Sequence, residues 1–90
     1  MFDGATFIGP LMRLTGGDEP PEFYWANYWH DRNYYERPAG LTRAQADRNF
    51  YDRMVYASAE VPEPRRTTLL RKARTRYYAV RLAGWFWWAS

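Results

Sequence analysis

His30 is the only histidine in the chain, Asp31 follows it at once, and Asp47 lies seventeen positions further on in the run Ala46-Asp47-Arg48-Asn49-Phe50. An imidazole oriented by one carboxylate, beside a second carboxylate that can bind an ion, is an arrangement that activates water for hydrolysis. It requires two antiparallel helical segments, so that Asp47 reaches the ring while Asp31 points elsewhere. Tyr34 or Tyr35, about one helical turn after His30, completes the motif. The plainer alternative makes each residue ordinary. His30 is then a half-buried ring with a local hydrogen bond, Asp31 a solvated charge, and Asp47 a carboxylate at the positive end of a helix.

The elements that must position these groups can be read from caps and periodicity. Residues 22–36 are expected to form the first helix, opened by Pro20-Pro21 and closed by Arg37-Pro38-Ala39-Gly40. Phe23, Ala26, Asn27, His30 and Tyr34 recur at helical spacing and share one face. Residues 43–59 are expected to form the second helix. Thr42-Arg43-Ala44-Gln45 is a capping box in sequence, with Thr42 as N-cap. Ala46, Phe50, Met54 and Ala57 make its apolar stripe, with Asp47, Tyr51 and Val55 alongside. The short connection at Pro38–Leu41 makes the pair an antiparallel hairpin. Val61-Pro62-Glu63-Pro64 is an elbow, and a third helix is expected over residues 66–86, with Leu69, Ala73, Tyr77, Val80 and Gly84 on one face. Residues 1–21, punctuated by Gly4, Gly9-Pro10, Gly16-Gly17 and Pro20-Pro21, read as an irregular arm. The expected fold is therefore mostly α: one domain spanning residues 1–90. Phe23, Trp25, Phe50, Tyr51, Tyr77 and Tyr78 are expected to supply much of its core.

Composition narrows the chemistry. Without cysteine there is neither a disulfide nor a thiolate zinc site, and with one histidine a zinc site would have to be mostly carboxylate, which zinc rarely favours. Calcium on oxygen ligands is the metal such a chain could hold. Aromatic residues are 20% of the sequence, more than a domain of 90 residues can hide, so some are expected at a contact surface. Charge is divided: residues 1–61 carry a net −3 and residues 62–90 a net +6. The terminal Gly84-Trp85-Phe86-Trp87-Trp88 is hard to leave in water and implies a partner or a fold-back. Trp85, Phe86, Trp87 and Trp88 fit a membrane surface or other structural proteins, with homo-oligomers as a further use. The arginines fit nucleic acid less well, because no recognised motif accompanies them. The start Met1-Phe2-Asp3-Gly4 has no signal-peptide pattern, and no stretch is apolar enough to span a bilayer.

Two stretches resemble known proteins. Ala26-Asn27-Tyr28-Trp29-His30-Asp31-Arg32-Asn33-Tyr34-Tyr35 and Thr42 to Met54 are similar to a family of small phage and prophage proteins. That family carries a His-Asp-x-x-Tyr helix followed by Ala-Asp-x-x-Phe-x-x-x-Met. Tyr78-Ala79-Val80-Arg81-Leu82-Ala83-Gly84-Trp85 is similar to that family's C-terminal segment. The hairpin also resembles the core of phospholipase A2-like enzymes, including the cysteine-free domain of parvovirus capsid proteins. The resemblance implies that His30 takes a proton from water and that Asp47 fixes its tautomer. It further implies that Asp31 binds calcium with backbone carbonyls near Phe7 and Gly9. The sequence leaves the location open between the virion and the host cytoplasm. The sequence departs from that pattern where Leu11-Met12 follow Gly9-Pro10, in place of the loop's second glycine. The alternative function is a non-catalytic virion or tail component that uses the hairpin as an interaction scaffold.

Overall fold

The computed structural model describes residues 20–84 and residue 88. Three helices make up the described chain: α1 (Tyr24–Glu36), α2 (Arg43–Ala59) and α3 (Arg65–Ala83). A single 3₁₀ turn, Pro21–Phe23, leads into α1. The mostly α architecture expected from the sequence is present, and the second helix has the expected bounds. The N-terminal arm, with Phe7 and Gly9, lies outside the described residues.

Each boundary has a local cause. The proline pair puts the missing amide donors at Pro20 and Pro21, in the first turn, where they are not needed. At the other end of α1, Arg37 takes a left-handed conformation with φ 47°, and its amide donates to the Asn33 carbonyl. The chain then turns through Pro38–Leu41. Gly40, at φ 82°, occupies the one position there where a side chain would be strained. Thr42 and Gln45 form a complete capping box. The Gln45 amide donates to Thr42 Oγ1 at 3.1 Å, and the Thr42 amide donates to Gln45 Oε1 at 2.9 Å. Glu63 serves the start of α3 in the same sense, accepting from the Thr67 amide at 2.9 Å and from the Thr67 hydroxyl.

Helix α2 is the central element. It runs antiparallel to α1, as the pairs His30–Asp47 and Trp29–Arg53 require, and antiparallel to α3, as Asp47–Arg81 and Tyr51–Tyr77 require. Phe23, Ala26 and Tyr34, then Ala46, Phe50 and Met54, then Leu69, Ala73 and Val80 form the buried core. All nine were expected on inward faces by periodicity. A bidentate ion pair of Arg65 with Glu22, at 2.8 Å for both bonds, ties the 3₁₀ turn to the start of α3. Its guanidinium holds the Glu22 carboxyl at about 2, although a pair this exposed contributes little to stability.

Three aromatic and basic positions differ from expectation. Trp25 and Tyr78 are not core residues; they are 65% and 58% exposed. Trp25 instead lines a groove of about 520 Å³ on the outer side of the hairpin, with Trp29, Arg53 and Tyr56. Tyr51 and Tyr77 are half-buried and lean on each other with ring centroids 5.3 Å apart. Arg76, one of the cations of the basic residues 62–90 and off the apolar face expected for the third helix, is buried with its guanidinium 5.2 Å from the Phe23 ring centre. Replacing Thr42 with alanine removes one side of the capping box. It should lower the unfolding free energy by about 1 kcal/mol in urea denaturation, with the m-value unchanged.

Candidate functional site

The inward faces of α1 and α2 bring His30 and Asp47 together. His30 Nε2 lies 2.8 Å from Asp47 Oδ1, and neither side chain has exposed surface. The helical spacing that places Phe23, Ala26 and Asn27 inward also places His30 and Tyr34 inward. Tyr34 donates its hydroxyl to the same carboxylate oxygen at 2.6 Å. Of the two tyrosines considered, Tyr34 therefore joins the site, and Tyr35 is 75% exposed. The His30 ring stacks on Phe50 at 4.3 Å and leans against Tyr34 at 4.5 Å.

The other carboxylate oxygen faces the arginines. Arg81, from α3, donates through Nη1 to Asp47 Oδ2 at 2.9 Å. Arg43, one turn before Asp47 on α2, places Nη1 3.5 Å from the same oxygen. Arg43 also donates to the Val80 carbonyl at 3.1 Å and to the Arg81 carbonyl at 3.3 Å. These are carbonyls of the last turn of α3, and the Val80 carbonyl also accepts the Gly84 amide at 2.7 Å, so Arg43 adds a second donor there. One side chain thus neutralises the buried acid and closes the end of the neighbouring helix.

The charge states follow from these contacts. Burial pushes the Asp47 carboxyl up, but hydrogen bonds from His30, Tyr34 and Arg81 outweigh it and hold the group below the usual carboxylate range. Burial dominates at His30 and lowers its pKa, against the opposing pull of Asp47. Burial, and then the adjacent carboxylate, push the Tyr34 phenol well above its ordinary value. The acid is therefore ionised, the ring neutral and the phenol protonated. An ionised carboxylate only accepts, so the ring proton sits on Nε2 and Nδ1 is the basic nitrogen. The tautomer is assigned from this network of bonds.

Asp31 follows His30 on α1 and is buried, which rules out the solvated-charge reading of this residue. As a buried carboxylate beside His30 it has the hard oxygen donors that suit calcium. Among the described residues no group of three His, Asp or Glu side chains converges on one point. The other two expected ligands, Phe7 and Gly9, lie outside the described residues. Trp88, expected at a membrane or partner surface, is half-buried. It lies edge-on to Tyr34 at 5.1 Å, and its amide donates to the Gly84 carbonyl. Trp85, Phe86 and Trp87 lie outside the described residues.

Arg43, Arg81 and Gly84 were not identified as site residues from sequence. Arg43 stands four positions before Asp47, a spacing that pairs opposite charges on a helix, and this was the available signal. Gly84 matters through close approach: a Cβ there would collide with the Tyr34 hydroxyl and the Val80 carbonyl, and would press on Arg43. Compared with known protein families, curated proteins and solved structures, the chain matches none of them. Substituting Gly84 with alanine should force Tyr34 or the end of α3 away. The expected cost is about 1–3 kcal/mol in denaturant unfolding, with altered near-ultraviolet dichroism from Tyr34 and Trp88.

Proposed function

We propose that this chain is a small phage-encoded hydrolase of the phospholipase A2-like kind, acting on ester bonds of lipids. The observation that carries the proposal is the His30 Nε2–Asp47 Oδ1 bond of 2.8 Å, with the Tyr34 hydroxyl on the same oxygen. Those contacts leave Nδ1 as the base of a neutral imidazole. In the proposed reaction Nδ1 takes a proton from water as the water oxygen attacks the ester carbonyl. The positive charge that then develops on the ring is stabilised by Asp47, whose position Tyr34, Arg43 and Arg81 hold. Asp31 is the residue that would hold calcium, together with backbone carbonyls near Phe7 and Gly9. A bound calcium ion would polarise the ester carbonyl and stabilise the oxyanion.

A second reading is favoured by a different observation. The His30 and Asp47 side chains are fully covered, and the carboxylate binds groups from all three helices. On that reading the network is a polar core of a non-catalytic virion or tail component, and the exposed aromatics contact neighbouring proteins.

Hydrolysis of mixed phospholipid vesicles, with and without calcium, separates the two. The hydrolase requires calcium-dependent turnover in the wild type, reduced by about 10²–10⁴-fold in His30→Ala and to a similar extent in Asp31→Asn. Circular dichroism should show retained helix in both variants. Equally negligible rates in wild type and variants would overturn the hydrolase and leave the scaffold.

A further inference from the structure

The outward face of α3 carries cations, a phenol and an aliphatic side chain in one stripe. Arg71, Arg74, Thr75, Tyr78 and Leu82 follow at i, i+3, i+4, i+7 and i+11, and all five are exposed. They lie opposite the face that buries Leu69, Ala73 and Val80. Helix α3 contains no acidic residue. Its other arginines are committed: Arg65 pairs with Glu22, Arg66 with Glu63 and Arg81 with Asp47, and Arg76 is buried over Phe23. Among the described residues Arg71, Arg74 and the flanking Lys72 enter no ion pair. The cations occupy the middle of the helix. The phenol of Tyr78 comes next, and Leu82, 80% exposed, lies at the end. From Arg71 to Leu82 the stripe runs about 16 Å at 1.5 Å per residue.

We infer that this stripe is a binding surface for a bilayer containing anionic lipid. Arg71, Arg74 and Lys72 meet the headgroup phosphates, Tyr78 sits at the headgroup boundary, and Leu82 enters the acyl region. The order of residue types along the helix selects a bilayer over a nucleic acid. Phosphodiesters would satisfy the arginines, but an aliphatic side chain with four-fifths of its surface in water gains only from an apolar layer. The surface involves none of the Asp47 network and stands whether or not His30 is catalytic. If the hydrolase reading holds, it would deliver the site to a lipid substrate.

Vesicle co-sedimentation of the full chain tests the assignment. Vesicles of equal parts phosphatidylglycerol and phosphatidylcholine should bind the protein at least about tenfold better than pure phosphatidylcholine, and added salt should weaken the binding. The double variant Arg71→Glu/Arg74→Glu should lose at least about tenfold, and Leu82→Asp several-fold, with helicity unchanged in each. His30→Ala should bind as the wild type does, so failure of the catalytic reading leaves this result in place. Any of four results would overturn the inference: no binding to the anionic vesicles, equal binding to both vesicle types, undiminished binding by the stripe variants, or a comparable loss in His30→Ala. So would tighter binding to a single-stranded oligonucleotide, lost in Arg71→Glu/Arg74→Glu and kept in Leu82→Asp.

Discussion

The Asp47 carboxylate has no contact with solvent, and the rest of the structure is arranged around that constraint. Taking a carboxylate out of water costs several kcal/mol unless charge and hydrogen bonds return what hydration supplied. Four groups do so here: His30 and Tyr34 from α1, Arg43 from its own helix, and Arg81 from α3. Because the donors come from every helix, the acid fixes how α1 and α3 sit on α2. Apolar burial alone leaves that register looser, since many side chains of similar volume can fill a core. Removing one charged partner would leave a buried ion partly compensated, a change that typically costs about 3–5 kcal/mol.

The same constraint sets the chemistry of the ring. Burial opposes a positive charge on His30 and outweighs the pull of the Asp47 carboxylate, and the Arg53 guanidinium opposes that charge as well. The folded pKa of His30 lies below its unfolded value, so the unfolded chain takes up the proton first. The resulting loss of stability begins as pH falls through the ordinary histidine range and grows until the folded ring titrates. Above that range the ring is a neutral base whose tautomer is dictated by an acceptor. A structural polar core and a water-activating dyad share this description, and they differ in whether water and an ester reach Nδ1.

Much of the fold was legible because the apolar spacing and the turn chemistry agree. Thr42 and Gln45 marked the start of α2 to the residue, and the Arg37-Pro38-Ala39-Gly40 break marked the end of α1. The His30–Asp47 contact was legible too, since a short loop between two helices leaves few antiparallel registers. Arg43 and Arg81 were harder to read. Twelve arginines in one short chain look alike in sequence, and only tertiary packing decides which reach a buried acid. Trp25 and Tyr78 misled for the opposite reason. Hydrophobicity suggests a core position, but each falls on the outer side of its helix, where aromatic rings contact solvent or a partner.

Nitrogen NMR of the His30 ring in uniformly labelled protein reads the tautomer that the buried Asp47 carboxylate imposes. At neutral pH the Asp47 network requires a protonated, pyrrole-type Nε2 and an unprotonated, pyridine-type Nδ1. It also requires this state to persist into mildly acidic solution, and the fixed tautomer to be lost in Asp47→Asn. A ring protonated on Nδ1, or one exchanging evenly between tautomers, would contradict it. An imidazolium already formed at neutral pH would contradict it as well.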